Sequence, residues 1–220
     1  MKTPPVSLPV PVAVLVSGSG TNLQALLDGL PSTGPARVVR VISSNASAGA
    51  LDRARRAKVA TTVLADPADP NEMLAALADA QLVVLAGYLK RVPVAVVTKF
   101  HLRMINIHPA LLPAFGGAGM YGRRVHEGVL ASGATVTGAT IHYVDEEYDH
   151  GPIIAQWPVP VHAGDTHRAL AARVLEAEHN LLPAVVLELA RLRLPQRPVR
   201  LFATRSGFVP GDGVAIAFGE

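Results

Sequence analysis

The 220-residue sequence predicts an α/β fold with a mostly parallel central sheet, helices on both faces and an antiparallel extension towards the C-terminus. Three observations lead there. Through the first hundred residues, short β-rich apolar runs alternate with segments of helical spacing, the pattern of successive βαβ units. Half of the residues, 50%, are hydrophobic, which fills one complete core and favours a single domain over two small ones. From Thr135 onward the alternation stops, and two strand-like runs follow each other around one turn.

The first strand is Val12 to Val16, ended by Ser17-Gly18-Ser19-Gly20-Thr21-Asn22. Leu23, Leu26 and Leu27 then repeat with helical spacing. Two further units follow, strand Val38 to Ser43 with helix Gly49 to Lys58, and strand Thr61 to Leu64 with helix Asn71 to Asp79. The run Leu82 to Ala86 reads as a fully buried strand, and another strand leads into Asn106-Ile107-His108-Pro109. Phe115 to Gly122 is too glycine-rich for helix or strand and is either a mobile loop at a site or a surface connection. A short helix is predicted at Val125 to Ala131, then strand Thr135 to Val144, an acidic turn from Asp145 to Pro152, and a partner strand Ile153 to Val161. Asp165-Thr166 is a helix-capping signal, and Leu170, Val174, Leu175, Leu181, Leu182, Val185 and Leu189 carry the helix on with a period near 3.6. Pro183 is expected to kink or split it. Residues 1–190 form the predicted catalytic domain, and 191–220 a loosely packed appendage with a short strand at Val214 to Phe218.

Composition excludes several function classes. A formal charge of +3 gives no nucleic-acid footprint despite a pI near 9.5, and Arg53, Arg55, Arg56 and Lys58 read as solvated surface. The absence of cysteine removes disulfides and thiolate chemistry and suits a cytoplasmic location. No apolar run approaches a membrane span, and the Val10 to Val16 run is too short for a signal segment. The expected partners are small-molecule substrates, without nucleic acid or membrane, and a homodimer is compatible with the sequence.

Chemistry concentrates where strands end. Parallel sheets collect ligands at the carboxyl ends of their strands, so the segments Gly18 to Asn22, Gly87 to Val92 and Asn106 onward converge. Asn106 and His108 lie on one side of their strand, two residue rises or ~7 Å apart. An amide there can bond an oxyanion and an imidazole can pass a proton near neutral pH; the alternative is a polar strand end. The strand–glycine turn–helix start at Gly18 to Asn22 exposes N–H groups and a helix dipole suited to a phosphate. It matches neither the dinucleotide fingerprint nor a P-loop, and no acidic residue ends the next strand, so a small phosphoester fits better than NAD or ATP. A plain tight turn is the competing reading. Asp149 is singled out because Gly151-Pro152 fix the chain just beyond it. Glu178 falls on the apolar stripe of the last helix, so it is either paired in the structure or facing a ligand hydroxyl.

Taken together, Gly18-Ser19-Gly20-Thr21-Asn22-Leu23-Gln24-Ala25, Ala86-Gly87-Tyr88-Leu89, Asn106 to Pro113, Gly138 to Val144 with Asp149 and Gly151-Pro152, and Glu178-His179 resemble the phosphoribosylglycinamide formyltransferase family. Several motifs in one order over Val12 to Leu189 are far more specific than any one of them. The resemblance implies the formyltransferase fold, a Rossmann-like sheet with an antiparallel extension. It also implies formyl transfer from 10-formyltetrahydrofolate to the amine of phosphoribosylglycinamide in purine synthesis, without a metal. Carried onto matching positions, it implies that Asn106 and His108 stabilise the oxyanion, that His108 donates the proton, and that Asp149 keeps His108 cationic. Gly20, Thr21 and Asn22 would receive the phosphate and Glu178 the ribose hydroxyls. The folate would lie along Leu89, Lys90, Arg91 and Val92, with Asn106, Asp145, Glu146, Glu147, Tyr148 and Asp149 also contributing. His142 matches a family position and is expected as a hydrogen-bonded core histidine.

One departure stands out: relatives carry a basic ligand contact before the third helix, where this sequence has Asp66-Pro67-Ala68-Asp69-Pro70. Lys90 or Arg91 could substitute. Methionyl-tRNA formyltransferase shares the chemistry but carries a further C-terminal domain, for which residues after the long helix are too few. Formyltetrahydrofolate deformylase needs an N-terminal regulatory domain. A silent sugar-phosphate-binding module on the same fold is the alternative from another class.

Overall fold

The computed structural model describes residues 8–204 and 207–211. Seven strands form one sheet in the order β3-β2-β1-β4-β5-β6-β7. Strands β1 (Val10–Val16), β2 (Ala36–Ser43), β3 (Ala60–Val63), β4 (Leu82–Leu85) and β5 (Met104–His108) run parallel to one another. The antiparallel extension is β6 (Val136–Tyr143) and β7 (Ile153–Pro160). The seven strands predicted between Val12 and Val161 are all present, with ends displaced by one or two residues.

Helices cover both faces because the strands are apolar on both. Along β1, Val12, Val14 and Val16 enter one buried cluster while Ala13 and Leu15 enter the other, the period of two that a strand imposes. The first cluster is covered by α1 (Thr21–Gly29), α2 (Gly49–Arg56), α5 (Arg123–Ser132) and α6 (His167–Arg191), through residues such as Leu26, Ala54, Val129 and Val185. The second is covered by α3 (Pro70–Ala76) and α4 (Val94–Lys99), through Met73 and Val96. No reading of periodicity finds α4: it spans six residues after Pro93, and its valines and threonine are β-branched.

Two expectations near the C-terminus are corrected. Pro183 does not split α6, which runs unbroken for 25 residues. Its ring is buried, and the α-carbon of Gly29 passes so close that a β-carbon there would lie 2.8 Å from Pro183 Cβ, so tertiary packing overrides the local penalty. Nor is the described chain from Leu192 to Leu201 loosely packed, because Leu194 and Leu201 are buried members of the larger core cluster. The segment forms an antiparallel pair of its own, β8 (Arg200–Thr204) and β9 (Gly207–Gly211). The strand expected at Val214 to Phe218 lies outside the described residues. Among the described residues, no helix is long and apolar enough to cross a membrane.

The topology fixes where ligands can bind. Strand order reverses between β1 and β4, and at such a switch point the loops leaving the two strands diverge to opposite faces and open a crevice. The turn after β1, the segment after β4 and the end of β5 border that crevice.

Candidate active site

Strand β5 delivers Asn106 and His108 to one wall of a cavity of about 740 Å³. The loop after β6 brings Asp149 to the same wall. Asp149 has φ 55°, a left-handed conformation uncommon for a residue other than glycine and sustained only by its surroundings. Its carboxylate is accordingly over-determined. Oδ2 accepts the Gly117 N–H at 3.0 Å and lies 3.4 Å from His108 Nδ1. Oδ1 accepts from Asn106 Nδ2 at 3.3 Å and lies 3.6 Å from His142 Nε2. The bond from Gly117 ties the glycine-rich segment to the site.

Burial and the anionic partners of this cluster pull its protonation in opposite directions. Burial pushes the His108 pKa below its ordinary 6.5, and the opposing pull of Asp149 and of the Phe115 carbonyl does not overcome it. A ring that is almost fully buried loses hydration, and the carboxylate and the carbonyl return part of that loss to its charged form. Both ring nitrogens nevertheless face acceptors, Nε2 donating to the Phe115 carbonyl at 2.8 Å and Nδ1 facing Asp149. The ring is placed to give protons. Burial also pushes the Asp149 carboxyl up, yet the nearby rings of His142 and His108 and the Gly117 N–H outweigh it, and its pKa falls below the usual carboxylate value. Asp149 stays an anion.

His142, expected as a core histidine, is that and more. Its Nδ1 donates to the Tyr143 carbonyl at 2.8 Å, which leaves Nε2 to accept from Asn106 Nδ2 at 3.0 Å. Thr140, two residues earlier on β6, pins the chain after His108: its hydroxyl donates to the Ala110 carbonyl at 2.6 Å and accepts from the Leu112 N–H at 3.0 Å.

The glycine turn lies at another end of the cavity. Gly20 caps α1 with φ 75°, and no side chain bonds the first-turn N–H groups, so these donors are left for a ligand. Thr21 and Asn22 line the cavity, whereas Gly20 does not. Its part is close packing, since a β-carbon would lie 2.6 Å from Ala50 Cβ. Glu178 on α6 is 6% exposed and accepts from Asn22 Nδ2 at 2.8 Å. Its partner is an amide and not a cation, so burial raises its pKa to about 7. It lines the cavity as well, so the carboxylate is paired in the structure at the cavity wall.

Leu89, Lys90, Arg91 and Val92 face Asp145, Glu146, Glu147 and Tyr148 across the remaining length of the cavity. Arg91 donates to the Glu146 carbonyl at 3.1 Å, linking the two segments, and the Leu89 N–H donates to Ser17 Oγ at 3.0 Å. None of the residues from Asp66 to Pro70 lines the cavity; Asp69 caps α3 instead. Among the described residues, no group of three or more His, Cys, Asp or Glu side chains could hold a metal ion.

Sequence reasoning missed two contributors. Arg53, taken as solvated, donates to the Ser19 carbonyl at 2.8 Å and to Gln24 Oε1 at 3.2 Å, bracing the glycine turn. His126 on α5 lines the cavity from inside a helix whose apolar spacing gives no sign of it.

A Rossmann-like sheet with this imidazole–carboxylate–amide cluster at its switch point is the arrangement of a folate-type formyl transferase, and the formyl transferase family model matches residues 10–186. The chain belongs to that family, among the phosphoribosylglycinamide formyltransferases. The chloroplastic phosphoribosylglycinamide formyltransferase of Arabidopsis thaliana is 43% identical over 84% of this chain and 67% of its own. The Escherichia coli enzyme of that name is 37% identical, covering 83% and 88%. A phosphoribosylglycinamide formyltransferase structure from Anaplasma phagocytophilum superposes with a TM-score of 0.79 at 35% identity, over 93% of this chain and 95% of that one. The chain spans 62% of the length of the Vigna unguiculata relative.

Proposed function

We propose that this protein transfers the formyl group of 10-formyltetrahydrofolate to the amine of 5'-phosphoribosylglycinamide in de novo purine synthesis. The observation that carries the reading is the meeting of Asn106, His108 and Asp149 in one cavity with the uncapped start of α1. The catalytic unit is residues 1–190, in keeping with the family match over 10–186.

The phosphate sits on the N–H groups at Thr21 and Asn22, with Gly20 giving the turn its shape and Glu178 meeting the ribose hydroxyls. The folate lies between 89–92 and 145–149. Attack by the amine on the formyl carbon makes a tetrahedral oxyanion. His108 answers that charge and hands a proton to the departing folate nitrogen. The growing oxyanion adds negative charge beside the ring, raising the imidazole pKa when the proton is needed. Asn106 has one N–H fixed by His142; the other, with only a long 3.3 Å bond to Asp149, is shared with the oxyanion. Asp149 stabilises the imidazolium.

The test is incubation with 10-formyl-dideazafolate and phosphoribosylglycinamide. Release of the deformylated analogue is expected; its absence with phosphoribosyl-ligand binding intact would leave a silent binding module instead.

A further inference from the structure

The N–H groups assigned to the substrate phosphate belong to a short stretch of chain, and one side chain holds both of its ends. Ser19 lies just before the cap of α1, and Gln24 closes the first turn of that helix, its N–H bonding the Gly20 carbonyl at 2.9 Å. Arg53, reaching across from α2, donates to the Ser19 carbonyl at 2.8 Å and to Gln24 Oε1 at 3.2 Å. Between these two anchors lie Gly20, Thr21, Asn22 and Leu23, at the helix start that no side chain caps. A peptide unit is planar and rigid, so the bond that fixes the Ser19 carbonyl also fixes how the chain enters Gly20. The Gly18 carbonyl is held in the same manner by the Ala50 N–H, at 3.2 Å. Helix α2 thus grips two successive carbonyls of the glycine turn, and Arg53 extends that grip to the far side of Thr21 and Asn22.

The Arg53 charge is left over after these bonds. Both acceptors that it meets are neutral, and Asp52, its neighbour in sequence, bonds Arg55 at 2.8 Å. Among the described residues no carboxylate forms an ion pair with Arg53. The guanidinium lines a hollow of about 530 Å³ together with Thr21 and His179. Thr21 also lines the larger cavity, so it is a wall common to both. Burial lowers the pKa of His179, and the Arg53 charge lowers it further; the field of that cation therefore reaches the part of α6 that carries Glu178.

Resting on the function proposed above, we propose that Arg53 is a positioning residue for the substrate phosphate, setting the N–H groups of Thr21 and Asn22 and placing an unpaired positive charge behind them. A phosphate gains from donors that are already aimed and from a cation close by. Arg53 touches neither the formyl group nor the amine in this account. Its effect falls on phosphate recognition and leaves the transfer step alone.

Calorimetry on wild type, Arg53→Gln and Arg53→Lys tests this with three ligands: phosphoribosylglycinamide, the same compound without its 5'-phosphate, and a non-transferable folate analogue. In Arg53→Gln the affinity for phosphoribosylglycinamide is expected to fall about ten-fold, the scale of one charge-assisted hydrogen bond. The other two affinities, and the single-turnover transfer rate at saturation, are expected to match wild type. Arg53→Lys keeps the charge and a donor, and is expected to recover most of the loss. Unchanged affinity for phosphoribosylglycinamide in Arg53→Gln, equal weakening of all three ligands, or a lysine variant as weak as the glutamine one overturns the proposal. A wild type that binds phosphoribosylglycinamide no better than the dephosphorylated compound overturns the phosphate seat itself, and with it the functional reading. Should Arg53→Gln not fold, the Arg53 Nε–H signal of wild type is followed by NMR while phosphoribosylglycinamide is added. A shift is expected, and an unmoved signal at saturation overturns the proposal.

Discussion

Asn106 Nδ2 lies 3.0 Å from His142 Nε2 and 3.3 Å from Asp149 Oδ1. Because His142 gives its Nδ1 proton to a backbone carbonyl, Nε2 can only accept, and the Asn106 amide is fixed in one of its two orientations. Replacing His142 by Phe keeps the ring volume and leaves an amide N–H unpaired in a half-buried site. The expected cost is about 1–3 kcal/mol in stability, with a larger fall in kcat than in phosphoribosylglycinamide affinity. Denaturant unfolding and steady-state kinetics check it; kcat equal to wild type would remove His142 from the positioning of Asn106.

Asp149 pulls the His108 pKa up against the stronger effect of burial. Asp149→Asn removes that pull, so the His108 pKa should move further down. Asparagine also tolerates the left-handed backbone at this position, so the loop should persist. An NMR titration of the ring reads the shift, and an unchanged midpoint would separate the two residues electrostatically.

Gly151 stands so close to the Tyr143 carbonyl that a β-carbon would collide with backbone. Gly151→Ala is expected to displace the chain that carries Asp149, lowering stability by about 1–3 kcal/mol and kcat by more than that loss explains. Thermal unfolding together with activity at a temperature where the variant is fully folded separates the two effects. Normal activity in the folded variant would show that the loop absorbs the change.

Glu178 has its pKa raised from an ordinary 4.5 to about 7. The folded state thus holds a proton that the unfolded chain has already released, so this group favours folding at low pH and the benefit is lost as pH rises from 4.5 through 7. Glu178→Gln cannot show that loss. The stability of wild type relative to this variant should fall by roughly 3 kcal/mol across the window, at 1.36 kcal/mol per pKa unit. The buried histidines act in the opposite sense and cancel in the comparison. Parallel stability curves would place the Glu178 carboxyl near its ordinary value.

What the sequence reveals here follows the range of the forces involved. Strand β1 and the long α6 are legible because burial imposes a period on many residues at once. Helix α4 is not, since six β-branched-rich residues carry no period to read. Asn106, His108 and Asp149 stand out by motif and by a glycine-proline pair, yet their protonation depends on burial, which only the fold determines. Arg53 acts through bonds to a segment far away in the chain and His126 lines a cavity shared with distant segments, and their own surroundings in sequence look like ordinary helix surface.

The central claim is that His108 supplies the transferred proton from a site whose substrate grip lies elsewhere. Its most direct test is His108→Ala, measured for formyl transfer in a single turnover and for phosphoribosylglycinamide binding by calorimetry. Transfer reduced at least ~100-fold with affinity unchanged within about two-fold is the predicted result. Transfer at the wild-type rate would contradict the account.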